Sequence, residues 1–359
     1  MITTQNRKKI DFTGKKIYVG IDVHKKNWTI AICTEQTNYR PFGQGASASQ
    51  LVNYLREKFP RADIICAYEA GFSGFSLQEK LTKAGIQCLV VHAADIPTTN
   101  KESEFKTDKR DAKKIAVALR SGQLNGIHIP SKVLQEARSL IRFRKQIRKD
   151  LTRQKCRIKS TLMFFNQTIP PEIDSPKWNE AMRNWIWNLK LSTEEGNKTI
   201  QLQMSMLEYI RGMRDCAKRH LRELANTEEY LPQVDLLSSV PGFSRFTAIR
   251  FLVELGDINR FRTLNHLCNY IGLVPATHSS GEKTNASRLT YRGHRELRMI
   301  LVESAWVAIG VDPALEMAYQ EFKKRMHGNK AIIKIARKLL NRLRYVLIHQ
   351  IPYEKGIVA

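Results

Sequence analysis

Two short apolar runs near the start of the chain, KIYVGI and WTIAIC, constrain its fold more than any other feature. Both contain many β-branched and aromatic residues, and a polar segment separates them, which predicts a hairpin of two strands. Asp22 lies where the first run ends, beside His24, Lys25 and Lys26. A carboxylate in such a place is costly unless its charge has a partner. Asp22 therefore either emerges at the surface or faces a cation.

Helical and strand-like patterns alternate after this hairpin, up to about residue 130. The helical patterns are SASQLVNYLREKF, FSLQEKLTKAG and TDKRDAKKIAVALRSG, and the strand-like runs are DIICAYEA and QCLVVH. Antiparallel strands followed by β-α-β units are typical of a mixed sheet covered by helices. Residues 1–130 are therefore predicted to form an α/β domain.

Residues 131–230 have a different pattern, with apolar residues spaced by seven and four and a high positive charge. Such spacing predicts one long helix with a coiled-coil seam. Over residues 131–165 there are eleven Lys and Arg against two acids. A second helical pattern, from about Lys198 to Asn226, predicts an antiparallel partner, and residues 166–197 form a Trp-rich insert between the two. The seam residues are Leu140, Ile147, Leu151, Ile158 and Leu162.

Residues 231–359 are predicted to be mostly helical. The stretch LLSSVPGFSRFTAIRFLVELGDINRF has the pattern of a helix, a Pro-Gly turn and a second helix. The segment VPGFSRF resembles a helix-hairpin-helix, whose turn offers backbone N–H groups to a phosphate. Ser244 stands where that motif usually has its second glycine, so a plain helical corner is the alternative.

The net charge indicates the kind of partner. Lys and Arg number 59 against 34 Asp and Glu, a formal charge of +25, and so basic a chain usually binds a polyanion. Nucleic acid is the first expectation and an anionic membrane surface the second. No apolar run reaches the roughly 18 residues of a membrane helix, and no secretory signal is evident. The chain has six cysteines and no CxxC pair, which argues against a zinc site and against a disulfide framework. A cytoplasmic protein is expected.

Three further acids recur at element boundaries. The strand-like run DIICAYEA ends in Glu69, and the helical pattern opening at Thr107 carries Asp108 and Asp111, which share one helix face. If these elements adjoin Asp22, four carboxylates converge, and they repel one another unless divalent cations neutralise them. Oxygen ligands of this kind suit Mg²⁺ or Mn²⁺, and two such ions can hold a phosphodiester for displacement. The alternative is ordinary solvated acids, which the helix dipole favours near a helix start.

The motifs GIDVHK, YEAG and KTDKRDA, in this order and spacing, resemble the DEDD insertion-sequence transposases, which are related to the pilin-gene-inverting recombinases. The stretches SVPGFSRFTAIRFLVELGDINRF, NYIGLVPATHSSGEKT and YRGHRELRMILVESA resemble the second conserved domain of the same family. The resemblance covers nearly the whole chain and is weakest in the Trp-rich insert.

The resemblance implies a RuvC-like domain over residues 1–130, which is a Holliday-junction-resolvase-like RNase H fold. A coiled-coil region over 131–230 and a mostly helical transposase domain over 231–359 would follow it. The acidic tetrad would be Asp22, Glu69, Asp108 and Asp111. The nucleophile would be Ser280 in HSSGEK, with Ser279 as the neighbouring alternative. Such a serine would form a phosphoserine DNA intermediate.

The resemblance also implies partners. These are double-stranded donor and target DNA, a structured, element-encoded bridge RNA, and further copies of the chain in a dimer or tetramer, in the bacterial cytosol or nucleoid. Basic residues in the long helix and after Ser280 are expected to bind nucleic acid, although basic faces are also often only solvated. They are Arg142, Lys145, Lys149, Arg153, Arg288, Arg292, His294 and Arg298.

Three alternatives remain open from the sequence. A metal-dependent resolvase-like nuclease would use the same acids with water as the nucleophile. A sugar-kinase-like or actin-like ATPase also opens with GID and a hairpin, but VHKK lacks the Gly and Thr that such sites place around phosphates. A non-catalytic nucleic-acid-binding protein would not require the complete acid set.

Overall fold

The computed structural model of the chain describes residues 11–98, 107–280, 283–290 and 292–356, and the side chains of residues 276–288 lie outside that description. The chain divides into two compact units, residues 1–129 and 130–359. The first unit corresponds to the expected α/β domain. The second contains both expected helical regions, so a separate boundary near residue 230 stays a prediction.

The first unit contains a five-stranded mixed sheet with the strand order β3-β2-β1-β4-β5. Strands β1, β2 and β3 are antiparallel neighbours, whereas β4 runs parallel to both β1 and β5. The expected hairpin is confirmed, with Asp22 opposite Thr29. The edge strand β3 was not predicted. The strands are β1 (Lys16–Val23), β2 (Asn27–Cys33), β3 (Phe42–Gly45), β4 (Asp63–Glu69) and β5 (Gln87–Val91).

Helices cover both faces of this sheet. Helices α1 (Ala48–Lys58) and α2 (Ser76–Lys83) bury apolar side chains against one face, where β1 contributes Ile17, Val19 and Ile21. Helix α3 (Asp108–Arg120) packs its buried residues against the other face. Because side chains alternate along a strand, Gly20 and Asp22 belong to the face that α3 covers.

Gly20 allows the backbone of α3 to lie directly against the backbone of β1. A Cβ atom built on Gly20 would lie 2.2 Å from the carbonyl oxygen of Ala112 and 2.4 Å from the backbone nitrogen of Ala116. Ala112 and Ala116 are fully buried and are separated by one helical turn. The absence of a side chain on the strand and the small side chains on the helix therefore set how close α3 lies to the sheet.

The second unit begins with a long antiparallel pair of helices, α4 (Lys132–Phe164) and α6 (Glu194–Ala225). Gln154 near the far end of α4 donates a 2.8 Å hydrogen bond to the carbonyl oxygen of Gln203 near the start of α6. Four residues of the predicted seam are confirmed as core residues. Ile147, Leu151, Ile158 and Leu162 are buried with residues of α6. The insert supplies helix α5 (Glu180–Trp187), which packs on the same core.

The rest of the second unit is a mostly helical bundle around the last helix, which has nine fully or nearly fully buried residues. It also contains a two-stranded hairpin that was not predicted. In the described part of the chain, no helix is both long and apolar enough to cross a membrane. The elements are α7 (Leu231–Ser238), α8 (Arg245–Leu255), α9 (Leu264–Ile271), β6 (Pro275–Ser280), β7 (Lys283–Leu289), α10 (Arg295–Ala308), α11 (Pro313–Arg325) and α12 (Gly328–His349).

The expected Pro-Gly corner joins α7 and α8. Gly242 has a φ of +84°, which favours glycine, and a Cβ atom there would lie 2.4 Å from the carbonyl oxygen of Ser304 on α10. The Ser304 hydroxyl in turn donates to the Gly242 carbonyl oxygen at 3.0 Å. Ser244 caps α8 by accepting from the N–H of Thr247. The corner therefore packs against α10 through its glycine.

A buried ion network joins α4 to the helical bundle. The Glu254 carboxylate is 3% exposed and lies 3.1 Å from His294 Nε2 and 3.5 Å from the Arg142 guanidinium. Glu296 pairs with Arg250 and, at 3.0 Å, with Lys145. Burial alone would raise the pKa of Glu254, but the hydrogen bond and charge of His294, with Arg142, bring it below its ordinary value of 4.5.

Gly20→Ala is expected to lower the free energy of unfolding by about 1–3 kcal/mol or more, because the new methyl group overlaps backbone atoms of α3 rather than a movable side chain. Gly43→Ala is the matched control, since its nearest heavy atom lies 4.0 Å away. Calorimetric unfolding of the full chain measures both. Equal stability of the two variants would show that α3 does not contact β1 at Gly20.

Glu254→Gln is expected to lower the free energy of unfolding by about 1.5–3 kcal/mol at neutral pH, because it removes charge-assisted hydrogen bonds in a buried place. Glu303→Gln, on the exposed side of α10, is the control. Because the pKa of Glu254 is lowered in the folded chain, its contribution is present above pH 4.5 and is lost as the pH falls through the folded-state pKa. Urea unfolding at several pH values should show the difference from wild type shrinking in acid; a difference independent of pH would contradict this account.

Candidate metal centre and nucleic-acid interface

Asp22 and Asp108 approach each other at the carboxyl end of β1, with His24 between them. The His24 Nε2 atom lies 3.3 Å from Asp22 Oδ2 and 3.5 Å from Asp108 Oδ2. One ligand atom from each of these three residues lies within 4.8 Å of the others. The strand end, the hairpin turn and the start of α3 therefore bring together three groups that could hold a metal ion.

Glu69 belongs to the same sheet edge but lies outside this cluster of three. Ile21 of β1 is the ladder partner of Tyr68 of β4, so Asp22 and Glu69 occupy the next position along two parallel strands. Ala67 of β4 packs with α3 residues, and Glu69 follows it by two, so its side chain belongs to the face that α3 covers. Glu69 is exposed.

Asp108 and Asp111 occupy the first turn of α3, as predicted. Thr107 is the N-cap residue, and its side chain makes no capping hydrogen bond within the described residues. Asp111 Oδ1 lies 3.4 Å from Lys114 Nζ, an ion pair within the helix. Asp108 is directed instead to His24, so the two acids of this turn have different neighbours.

The charge of Asp22 is only partly compensated. Burial is the largest effect and raises the pKa of Asp22 above its ordinary value of 3.8. The charge of His24 opposes this effect, whereas the nearby Asp108 and Asp111 raise the pKa further. A divalent cation would neutralise carboxylates that disfavour one another's charge in this way. The groups present therefore fit a divalent metal, with Asp22, Asp108 and His24 as the residues nearest to one point.

Ser280 is the last residue of β6 and pairs with Lys283 of β7. Its side chain and those of Ser279 and Arg288 lie outside the described residues, so their predicted roles stay predictions. The hairpin places Ser280 at its turn end, because Lys283 is its ladder partner and only two residues separate them.

The basic residues of α4 form two stripes on different sides of the helix. At 3.6 residues per turn, Arg142, Lys145, Lys149 and Arg153 share one side, which we call the outer stripe. Arg142 and Lys145 reach the buried Glu254 and Glu296, and Arg153 pairs with Asp150 at 2.9 Å. Lys149 is exposed. Through Arg142 and Lys145, the outer stripe thus anchors α4 to the bundle.

A second set of cations on α4 flanks the buried seam on the side of α6. We call this set the inner stripe: Arg144, Arg148, Lys155 and Lys159. Arg211 and Arg214 of α6 act electrostatically on Lys155, and Arg214 acts on Arg144. The inner stripe was not separated from the outer one by sequence reasoning, although the spacing of four, seven and four was visible.

Two of the residues expected to bind nucleic acid after Ser280 have partners inside the protein. His294 caps α10 through Nδ1, which accepts from the N–H of Leu297, while Nε2 meets Glu254. Arg298 donates to the carbonyl oxygens of Gly272 and Thr290 at 3.2 and 2.8 Å. Arg292 is exposed. The structure thus gives His294 and Arg298 positions in which they stabilise the chain.

Two family models match the chain in the expected order. The DEDD transposase model of the IS110 type matches residues 19–167. The model of the IS116/IS110/IS902 transposase family matches residues 234–320. The first range contains all four predicted acids, and the second contains Ser280.

Relatives of the chain carry matching names. The chain is 28% identical over 299 residues to the transposase for insertion sequence element IS1533 of Leptospira borgpetersenii, which covers 81% of this chain and 85% of that one. It is 35% identical over 139 residues to the pilin gene-inverting protein of Moraxella bovis, covering 36% and 42%. The transposase for IS1111A of Coxiella burnetii is 25% identical over 202 residues, covering 56% and 54%.

The first matched range contains the four predicted acids and the three residues that could hold a metal ion, and the second contains the predicted serine. The chain therefore belongs to the DEDD family of insertion-sequence transposases, which makes it a DNA transposase or recombinase.

Proposed function

We propose that this transposase cuts and rejoins double-stranded DNA with Mg²⁺ or Mn²⁺ held by Asp22, Glu69, Asp108 and Asp111, and with Ser280 as the nucleophile. The observation that carries the proposal is the approach of Asp22, His24 and Asp108 to one point at the end of the central strand. A RuvC-like relation of the first unit agrees with the position of these acids at the carboxyl end of β1 and β4, next to the start of α3.

The metal centre would consist of carboxylates from three elements. Oxygen ligands suit Mg²⁺ and Mn²⁺, and an imidazole such as that of His24 is better tolerated by the softer Mn²⁺. Divalent ions in such sites polarise a phosphoryl oxygen and neutralise charge that develops during displacement. The protein's own contribution is to hold Asp22 and Asp108 close together, through the contact of α3 with β1, before any substrate binds.

Ser280 would carry out the covalent step. Its Oγ atom forms a bond to phosphorus, the bond from phosphorus to one deoxyribose oxygen breaks, and that oxygen leaves as a hydroxyl after taking up a proton. The serine proton passes to a base, because a neutral hydroxyl is a weak nucleophile. The phosphoserine ester retains the energy of the broken bond, so the reverse reaction with another strand's hydroxyl rejoins DNA without an external energy source.

The proposal includes partners and a place of action. The +25 charge supports polyanionic partners, and the resemblance to the family implies donor and target DNA with a bridge RNA that the element encodes. A dimer or tetramer of this chain in the bacterial cytosol or nucleoid completes the proposal.

Asp22→Asn is expected to weaken Mn²⁺ binding by about ten-fold or more and to lower strand cleavage by about 10²–10³, because a charged ligand becomes neutral at the partly buried end of β1. Asp63→Asn, at the opposite end of β4, is the matched control. Titration calorimetry with Mn²⁺ measures binding without substrate. Unchanged affinity in Asp22→Asn would remove the metal from this site.

Ser280→Ala is expected to abolish a covalent protein–DNA adduct, and Ser279→Ala is expected to retain it. The protein would be co-expressed with the non-coding DNA that flanks its element, so that any guide RNA is made. It would then be mixed with labelled donor and target duplexes and Mg²⁺. A denaturing gel shows whether labelled DNA migrates with the protein.

The same gel distinguishes the serine mechanism from its main alternative. Strand cleavage without an adduct in the wild type would favour water as the nucleophile and a resolvase-like nuclease. An adduct that persists in Ser280→Ala but is lost in Ser279→Ala would shift the nucleophile by one residue. If Ser280→Ala and Asp22→Ala both retain recombination, the proposed chemistry is wrong.

A further inference from the structure

Arg144, in the inner stripe, is a half-buried cation with little compensation. Its guanidinium carbon Cζ lies 4.6 Å from the ring centroid of Phe246, and Arg250 lies against the same ring at 5.7 Å. The Arg144 Nε atom is buried, and among the described residues no oxygen accepts a hydrogen bond from it. Cation–π contact with one phenyl ring offsets only a small part of the cost of burying such a charge.

Other guanidinium groups surround Arg144. Burial, followed by the charges of Arg250 and Arg148, lowers the pKa of Arg144 to about 10, and Arg214 on α6 acts in the same direction. We call Arg144, Arg148, Arg214 and Arg250 the arginine cluster. Its members come from three helices, α4, α6 and α8, so the packing of the fold holds like charges together.

The carboxylates near this cluster are already shared with other cations. Glu296 acts on Arg144, but it pairs with both Arg250 and Lys145. Asp215 accepts two hydrogen bonds from its neighbour Arg214, at 2.8 and 2.9 Å. In the described part of the chain, no carboxylate lies within 4.0 Å of a guanidinium nitrogen of Arg144 or Arg148. The arginine cluster therefore has an excess of positive charge in a place where water only partly screens it.

We propose that the arginine cluster binds a backbone phosphate of nucleic acid between α4 and α6. The inference rests on the proposed function, because it assumes a nucleic-acid partner, and it adds a site that the acids and Ser280 do not include. A planar guanidinium matches two phosphate oxygens, and a charge-assisted pair of this kind would supply the acceptors that these guanidinium groups lack. Arg144 and Arg148 supply the unpaired donors, and Arg214 adds charge from the opposite helix.

The inner stripe extends this site along the helix pair. Lys155 lies 5.5 Å from the ring of Trp178, and Lys159 pairs with Asp174 at 3.2 Å. From Arg144 to Lys159 the stripe runs about 22 Å along α4. That length spans several successive phosphates of one strand. A strand with one phosphate bound at Arg144 could therefore place its next phosphates along the groove between the helices.

Arg144→Ala tests the site, with Arg157→Ala as the matched control. Arg157 lies on the same helix, is exposed, and points roughly half a turn away from the inner stripe. The full chain would be titrated, in the presence of a chelator so that no cleavage occurs, into a labelled DNA duplex of random sequence and into an RNA hairpin of equal length. Affinity would be measured at several salt concentrations.

The expected result is a loss of roughly ten-fold or more in affinity for Arg144→Ala. The slope of log affinity against log salt should also fall by about one, with little change for Arg157→Ala. Arg144→Lys should retain the slope while binding more weakly, since it keeps the charge and loses the planar donor pair. A loss with DNA alone, with RNA alone or with both identifies which backbone occupies the site.

Equal behaviour of Arg144→Ala and Arg157→Ala on both probes would overturn the inference, as would a wild-type chain that binds neither probe. The first result does not bear on the covalent adduct, which the gel assay measures separately, whereas a wild-type chain that binds neither probe would also contradict the proposed DNA substrate. Thermal unfolding of Arg144→Ala should match or exceed wild type, because a half-buried unpaired charge is removed. If this variant does not fold, Arg148→Ala, at an exposed position, replaces it with the same expected loss.

Discussion

The first unit depends on a contact between two backbones, where α3 lies on β1 at Gly20. This contact sets the distance from the sheet to the whole of α3, because a helix is stiff over its 13 residues. Asp22 follows Gly20 by two positions on the strand, and Asp108 precedes Ala112 by one turn on the helix. The two acids are therefore held together by close packing a few ångströms away rather than by any attraction between them, since their charges repel.

Much of this arrangement could be predicted from the sequence. The hairpin, the parallel strands and α3 follow from apolar periodicity, and acids at element ends were expected to meet. The role of Gly20 could not be predicted, because one glycine in an apolar strand is equally consistent with a bulge. His24 was noted beside Asp22, but its position between Asp22 and Asp108 could not be predicted, since a histidine in a polar turn carries no periodic signal. Strands β3, β6 and β7 are short and polar, so pattern reasoning passed over them.

The positive charge of the chain has several distinct uses. In the outer stripe, Arg142 and Lys145 reach buried glutamates and stabilise the junction of α4 with the bundle. His294 and Arg298 serve local structure at the start of α10. Sequence reasoning assigned all of these residues to nucleic-acid binding or to a solvated face, because composition counts charges without their partners. Only side-chain positions separate cations that already have carboxylates from those, such as Arg144, that still lack them.

The cluster of Asp22, His24 and Asp108 joins a strand, its turn and a helix that are distant in sequence. A ligand that binds only the folded arrangement adds its binding free energy to the folding equilibrium. An ion held there would thus act as a non-covalent cross-link, with its greatest effect on the opening of α3 from the sheet. Local opening of this helix, and with it amide exchange along Ala112–Ala116, would become dependent on the concentration of free divalent ion.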